Sequence, residues 1–345
     1  MAAHKILLIG AGDMAGNHIR AWHEIGCGVE AIVDIDTERA HNLAAKWEIA
    51  QEYADYQEAL EKSRSADIVD ICIPLRWHAP VTIAAAEHGK HVLCEKPIAR
   101  NLEEVDQMEA AIARYGVKFA VGQQRNLSPG VGMLRDLVQS GQLGRPLMFH
   151  SDGLAEVRPK RFMHDADNNN GPIVDTCVHN FLLWETVLNA KPVQIYAQGG
   201  ILAHSHPDLA QFEHRAVDTG AIVVTYDSGD TGVMTISWGM PSHTKMKGHS
   251  ERLIGSKGGV DAGATGELTP IYSSEETAFQ LYLGDTVEEI RVGAANTFAL
   301  QAQAFVDYVD GLCAAPPSGL ETGRHLLRMS LAALQSIASG QPVKL

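Results

Sequence analysis

Over the first 122 residues the chain alternates short apolar runs with amphipathic stretches. The runs KILLIG (5–10), VEAIVD (29–34), ADIVDICIP (66–74), HVLCEK (91–96) and VKFAVG (117–122) are rich in β-branched and aliphatic residues and read as strands. Between them, apolar positions recur at helical spacing near 15–25, 37–47, 77–89 and 101–115. Strands that are apolar throughout, separated by helices, predict a parallel sheet covered on both faces. One helix is marked at both ends: Asn101 can cap it, Glu104 can reach back, and Gly116 can take the left-handed stop.

After about residue 123 the pattern changes. A helix is expected near 129–140, between Pro129 and Gly141, then the turn GQLGRP and the strand LMFHSDG. A polar loop ends in Asp-Asn-Asn-Asn-Gly (167–171), and one helix is expected over 173–188. Alternating strands follow, among them AIVVTYD (221–227), TGVMTISWG (231–239) and the segment ERLIGSKGGV (251–260). The turn Asp227-Ser228-Gly229-Asp230 joins two of them, which predicts an antiparallel or mixed sheet with one face covered. Two helices, about 297–313 and 320–338, finish the chain, and no internal repeat or low-complexity tract interrupts it. A length of 345 residues suits two domains, divided as 1–123 and 124–345.

Composition removes several classes of function. Apolar content of 45% and charged content of 20% are those of an ordinary globular protein. With a formal charge of −14, the longest basic patch is Arg158-Pro159-Lys160-Arg161, which argues against nucleic-acid binding. That patch could be solvated or could meet an anionic substrate. No apolar run is long enough to span a membrane, and the N-terminal run leads straight into a glycine turn, as a first strand does and a signal peptide does not. Five scattered cysteines fit reduced thiols in a cytoplasmic protein.

The glycine turn carries the first chemistry. Gly10-Ala11-Gly12-Asp13-Met14-Ala15 follows the first strand and opens a helix, matching G-x-G-x-x-A. Gly10 permits the tight turn, Gly12 lets the backbone approach a pyrophosphate, and Ala15 keeps helix and strand close. The pyrophosphate would sit at the helix N-terminus beside Asp13 and Met14. Asp34 ends the second strand, where a carboxylate can bind both ribose hydroxyls and repel a 2′-phosphate, so NAD is favoured over NADP. Asp36 is the nearby alternative.

Two further positions could do acid–base work. Lys96 sits at the carboxyl end of a parallel strand, the edge where open α/β sheets bind ligands, and a lysine there can stabilise a developing alkoxide. Asp175 and His179 are four apart, so a regular helix would place both on one face. The helix N-terminus would keep His179 neutral as a base. Its apolar neighbours Phe181, Leu182, Leu183 and Trp184 fit a satisfied core histidine equally well. His204-x-His206-x-Asp208 has the look of a metal site but lies in a loop without an obvious third ligand, and no metal is expected.

Together these segments resemble the glucose–fructose oxidoreductase/inositol dehydrogenase/rhizopine-catabolism (Gfo/Idh/MocA) family over nearly the whole chain. The resemblance runs through GAGDMAG (10–16), the His78 segment leading to EHGKHVLCEKPIARN (87–101), and VGQQRNLSPGVGMLRDLVQSGQLGRP (121–146). It continues through the Asp175/His179 segment, GSKGG (255–259) and SIASGQPVKL (336–345). It implies an N-terminal Rossmann doubly wound parallel sheet and a C-terminal α+β domain with a large, mostly antiparallel open sheet used for dimers and tetramers. It implies Lys96 as catalytic lysine, Asp175 as substrate-positioning acid and His179 as the proton-transfer residue. Pro74, His78, Glu95 and Lys96 itself join the expected cofactor set, and Arg125, Asn126 and Arg158 join Asp175 and His179 as the expected substrate contacts. Departures lie at Cys177 and Leu182, where the family often has Gly and Asp, and at Leu75, where it often has Asn; Arg76 and Trp77 make an unusual wall beside it. The implied activity is hydride transfer between a secondary hydroxyl or ketone of a sugar, inositol or polyol and NAD. An NAD-dependent glycosidase and a non-catalytic NAD-binding regulator are the alternatives on this scaffold.

Overall fold

The computed structural model describes residues 4–263, 266–268 and 276–345. Its contacts divide the chain into two compact units, Met1–Gln124 with Asn296–His325, and Arg125–Ala295 with Leu326–Leu345.

The first unit begins with β1 (Lys5–Ile9), α1 (Ala15–Glu24), β2 (Gly28–Val33), α2 (Thr37–Trp47), β3 (Gln51–Tyr53), α3 (Tyr56–Lys62) and β4 (Ile68–Ile71). It continues through α4 (His78–Glu87), β5 (His91–Glu95), α5 (Leu102–Tyr115) and β6 (Phe119–Gly122). All six strands are parallel, in the order β3-β2-β1-β4-β5-β6. β4 and β6 are buried along their whole length, which is why their sequences do not alternate. Strand order reverses between β1 and β4, and the carboxyl ends on either side of that point are the ligand edge of a doubly wound sheet. The expected cap holds: Asn101 Oδ1 accepts the Glu104 amide at 2.9 Å and Gly116 takes φ +66. Glu104 reaches back one residue further than a capping box does, accepting the Arg100 amide at 2.9 Å.

The second unit contains α6 (Pro129–Gln139), β7 (Met148–Glu156), α7 (Gly171–Asp175), α8 (Cys177–Leu188), β8 (Pro192–Gly200), β9 (Thr219–Tyr226) and β10 (Thr231–Met240). β11 (Gly248–Ile254), β12 (Gly258–Asp261), β13 (Thr277–Leu283) and β14 (Thr286–Val292) complete its main sheet. Nine strands lie in the order β14-β13-β12-β11-β7-β10-β9-β8-β15, where β15 is Val343–Lys344; only β7 and β10 pair in parallel. One face is covered by α6 and α8 over a core that includes Phe149, Phe181, Trp184 and Phe279.

The helix α9 (Thr297–Val309) and the start of α10 (Leu320–Ser339) belong to the first unit, so a single division at 123/124 does not describe the chain. The Val121 amide bonds the Ser318 carbonyl at 2.8 Å, the Lys118 ammonium lies 4.4 Å from the centre of the Tyr308 ring, and Arg324 pairs with Asp106 and Glu109. The helix expected over 173–188 is two helices. At Thr176 (φ −102°, ψ −42°) the His179 amide bonds back only three residues, to the Thr176 carbonyl at 3.1 Å, which interrupts the regular ladder.

Candidate active site

The glycine turn is shaped as its sequence requires. Gly10 has φ +108°, and a Cβ there would stand 2.3 Å from the Cys72 carbonyl oxygen, so only glycine fits. Ala15, fully buried, starts α1; its N-cap Met14 supplies no side-chain cap and the first turn holds no acid. The amides at the start of such a helix suit an anionic phosphate group. Asp34, just past β2, accepts the Ala11 amide at 2.8 Å and the Asp36 amide at 2.9 Å, which fixes its carboxylate beside the turn. Asp36 caps α2, accepting the Arg39 amide at 3.1 Å, and the Arg39 guanidinium lies 3.0 Å from Asp36 and 3.8 Å from Asp34. Turn, helix end and acid together fit a dinucleotide.

Lys96 follows β5 and precedes a cis Lys96–Pro97 bond. Glu95 is buried and anchors the Lys96 backbone: one oxygen accepts the Lys96 amide at 3.1 Å and the other faces His18 Nε2 at 2.9 Å. His18 Nδ1 lies 2.9 Å from Asp70, which also accepts the Trp22 indole at 2.6 Å. Both imidazole nitrogens face carboxylates, so both can donate only as imidazolium. Burial alone would lower the His18 pKa; the Asp70 carboxylate more than offsets it, and the ring is held well above its usual 6.5. Burial first, and Asp70 next, push the Cys72 thiol up to about 12. His18, Asp70 and Cys72 offer ligand atoms within 4.8 Å of one another, and the Cys72 thiol is a weak donor to Asp70, 3.7 Å away. This network was not read from the sequence, although Asp70 in the middle of the buried run IVDI was a visible signal.

His78 is also a bracket. Its ring nitrogens lie 2.8 Å from the Pro97 carbonyl and 2.9 Å from the Ile73 carbonyl, tying the loop before Pro74 to the segment after Lys96. Burial holds its pKa down. Trp77 beside it is exposed, with Arg76 stacked 5.4 Å from its ring centre.

In the second unit, Asp175 ends α7 and His179 lies in the first turn of α8, on opposite sides of the Thr176 break. The Asn169 side-chain Nδ2 donates to Asp175 at 3.4 Å. Two expected substrate contacts are held in internal interactions. Arg125 is buried and pairs with Glu251 at 2.6 Å, and Glu251 also accepts from Asn180 and from the Leu268 amide. The Asn126 side-chain Nδ2 donates to the Thr186 hydroxyl at 2.9 Å. Arg158 lies over Trp238, 5.3 Å from the ring centre, and its own amide donates to His164 Nε2 at 3.1 Å. Asp208 of the His204–Asp208 loop pairs with Arg161 at 2.8 Å.

The fold and this cradle define a dinucleotide-binding oxidoreductase. The chain belongs to the GFO/IDH/MocA oxidoreductase family: residues 4–123 match its NAD-binding Rossmann fold and residues 131–261 its C-terminal domain. It is 26% identical to the myo-inositol 2-dehydrogenase of Thermotoga maritima, covering 99% of this chain and 98% of that one. It is 25% identical to the scyllo-inositol 2-dehydrogenase (NAD(+)) of Bacillus subtilis over 89% of this chain and 85% of that one. The crystal structure of an aldose–aldose oxidoreductase from Caulobacter crescentus superposes with a TM-score of 0.83 at 21% identity, covering 99% of this chain and all of that one, a likeness of fold. Among the described residues no helix is long and apolar enough to cross a membrane.

Proposed function

We propose that this protein oxidises a secondary hydroxyl of a sugar, inositol or related polyol with NAD, or reduces the corresponding ketone. The observation that carries this reading is Lys96 anchored at the carboxyl edge of the parallel sheet, on the same edge as the Gly10 turn and Asp34. Bound NAD supplies the hydride acceptor for the alcohol carbon. Gly10, Gly12 and the start of α1 hold its pyrophosphate, with Asp13 and Met14 alongside, and Asp34 reads the ribose hydroxyls. Lys96 holds the substrate oxygen as charge develops on it, Asp175 orients the substrate, and His179 takes the hydroxyl proton.

Screening inositols, aldoses, alditols and sugar acids for NADH formation at 340 nm tests the reaction; a panel without turnover in either direction would overturn it. Asp34→Ala is expected to weaken NAD binding about tenfold or more, the loss of charge-assisted hydrogen bonds worth roughly 1.5–3 kcal/mol. It should also relax discrimination against NADP. An unchanged NAD/NADP ratio in equilibrium titrations would assign the ribose to another residue.

The open face of the large sheet supports a homodimer or homotetramer. Met148 faces Ile254, Ile254 faces Gly259, Gly259 faces Tyr282 and Tyr282 faces Val287, an unbroken cross-strand row. Its four large side chains are each at least 42% exposed, the kind of apolar row that a second copy covers. All five cysteines are free, which suits the cytoplasm.

A further inference from the structure

Six arginines of this acidic chain are buried or half-buried: Arg100, Arg125, Arg158, Arg161, Arg215 and Arg324. Five have an acceptor for the guanidinium: Glu104, Glu251, Asp208, the His204 carbonyl, and Asp106 with Glu109. Arg158 has none among the described residues. Its plane is held by the Trp238 ring, 5.3 Å away, and its Nε is shut off from solvent with no hydrogen-bond partner. Leaving a buried charged donor unpaired is unfavourable, and a cation–π contact restores only part of what is lost.

A second donor waits beside it. His164 is 1% exposed and its Nε2 accepts the Arg158 amide, so in the neutral ring the hydrogen sits on Nδ1. Burial holds the His164 pKa down, and Nδ1 has no partner among the described residues. His164 meets Trp238 edge-on at 6.1 Å, so Arg158 and His164 share that indole. The loop carrying both runs on to Asn169 and thence to Asp175. Residues 216–218, just before β9, gather the same parts: the Ala216 amide bonds the His164 carbonyl, the Trp238 amide bonds the Asp218 carbonyl, and Gly171 at the start of α7 has no room for a Cβ against Val217.

We propose that Arg158, braced on Trp238 and flanked by His164, is an anion subsite that takes the carboxylate of the substrate, which makes the substrate class a sugar acid rather than a neutral sugar or inositol. A guanidinium matches a carboxylate with two parallel hydrogen bonds, and with Arg161 paired to Asp208 and the buried Asp218 carboxylate also acting on His164, Arg158 is the cation left to meet it. The inference rests on the dehydrogenase reading for the substrate's place in the reaction, but binding tests it separately.

Calorimetric titration of the NAD-saturated protein with hexuronates and hexonates, each beside its neutral aldose or alditol and its 6-phosphate, is the experiment. At least one acid should bind about tenfold or more tighter than its neutral counterpart. Arg158→Gln should abolish that preference with the thermal midpoint retained, and Arg158→Lys, which keeps charge without the fork, should restore part of it. The proposal is overturned if no acid binds, if neutral and acidic partners bind alike, if Arg158→Gln keeps the preference, or if only the phosphate esters respond. Acids that bind through Arg158 without NADH formation would sink the dehydrogenase reading and leave the subsite standing. NADH formation from neutral sugars alone, with no acid preference, would do the reverse.

Discussion

Lys96→Ala and His179→Ala should each lower turnover by at least about a hundredfold while leaving NAD affinity nearly unchanged, the loss expected when one proton-transfer or charge-stabilising group is removed. The separation follows from where the residues are. In the proposed reading the Gly10 turn and Asp34 read pyrophosphate and ribose, and the hydrogen bonds of Asp34 to Ala11 and Asp36 do not involve either residue. The Lys96 side chain can therefore be removed while its backbone amide keeps its bond to Glu95. Stopped-flow NADH absorbance and fluorescence titration of NAD read the two quantities independently. Normal turnover in both variants would sink the assigned roles. Turnover of a glycoside with no net NADH would identify the scaffold's eliminating chemistry instead, and tight NAD binding with no reaction on any carbohydrate would identify a regulator.

Local features of this chain were legible and long-range ones were not. Buried parallel strands announce themselves because their positions are mostly apolar and do not alternate, so the apolar runs match β1, β4, β5 and β6 within a few residues. β3, three residues of Gln-Glu-Tyr at the sheet edge, carries no such pattern. Gly10 and Asp34 were legible because a tight turn and a strand-end acid are requirements of one short segment. The break at Thr176 was hidden by an apolar sequence that satisfies a continuous helix equally well. Arg125 lies where a substrate contact was expected, but its partner Glu251 is 126 residues away, and no local pattern pairs them. The same holds for His18, whose two carboxylates lie 52 and 77 residues along the chain. Periodicity reports burial; it does not report which buried charge meets which.

That buried network should dominate the stability of the first unit. Removing one member of a buried charged cluster leaves the others desolvated without compensation, a loss of about 3–5 kcal/mol. His18→Ala exposes this most directly, because Asp70 and Glu95 both lose their shared cation inside the fold. Asp70→Asn keeps the shape and removes one charge, and should lower the urea midpoint in the same direction. A combined His18→Leu, Asp70→Asn variant should lose less than the sum of its parts, since each substitution removes the partner the other leaves stranded. The pH dependence has a definite sign. His18 has a folded pKa raised above its unfolded value near 6.5, so its stabilisation is fully present below about pH 6.5 and is lost as pH rises through the folded pKa. The wild-type protein should therefore lose stability on the alkaline side of neutrality, and His18→Ala should flatten that slope. Turnover should follow, because Glu95 without His18 is a lone buried carboxylate and the Lys96 amide depends on it. Urea midpoints of the single variants within about 1 kcal/mol of wild type, with an unchanged alkaline slope, would show that the three side chains are merely adjacent.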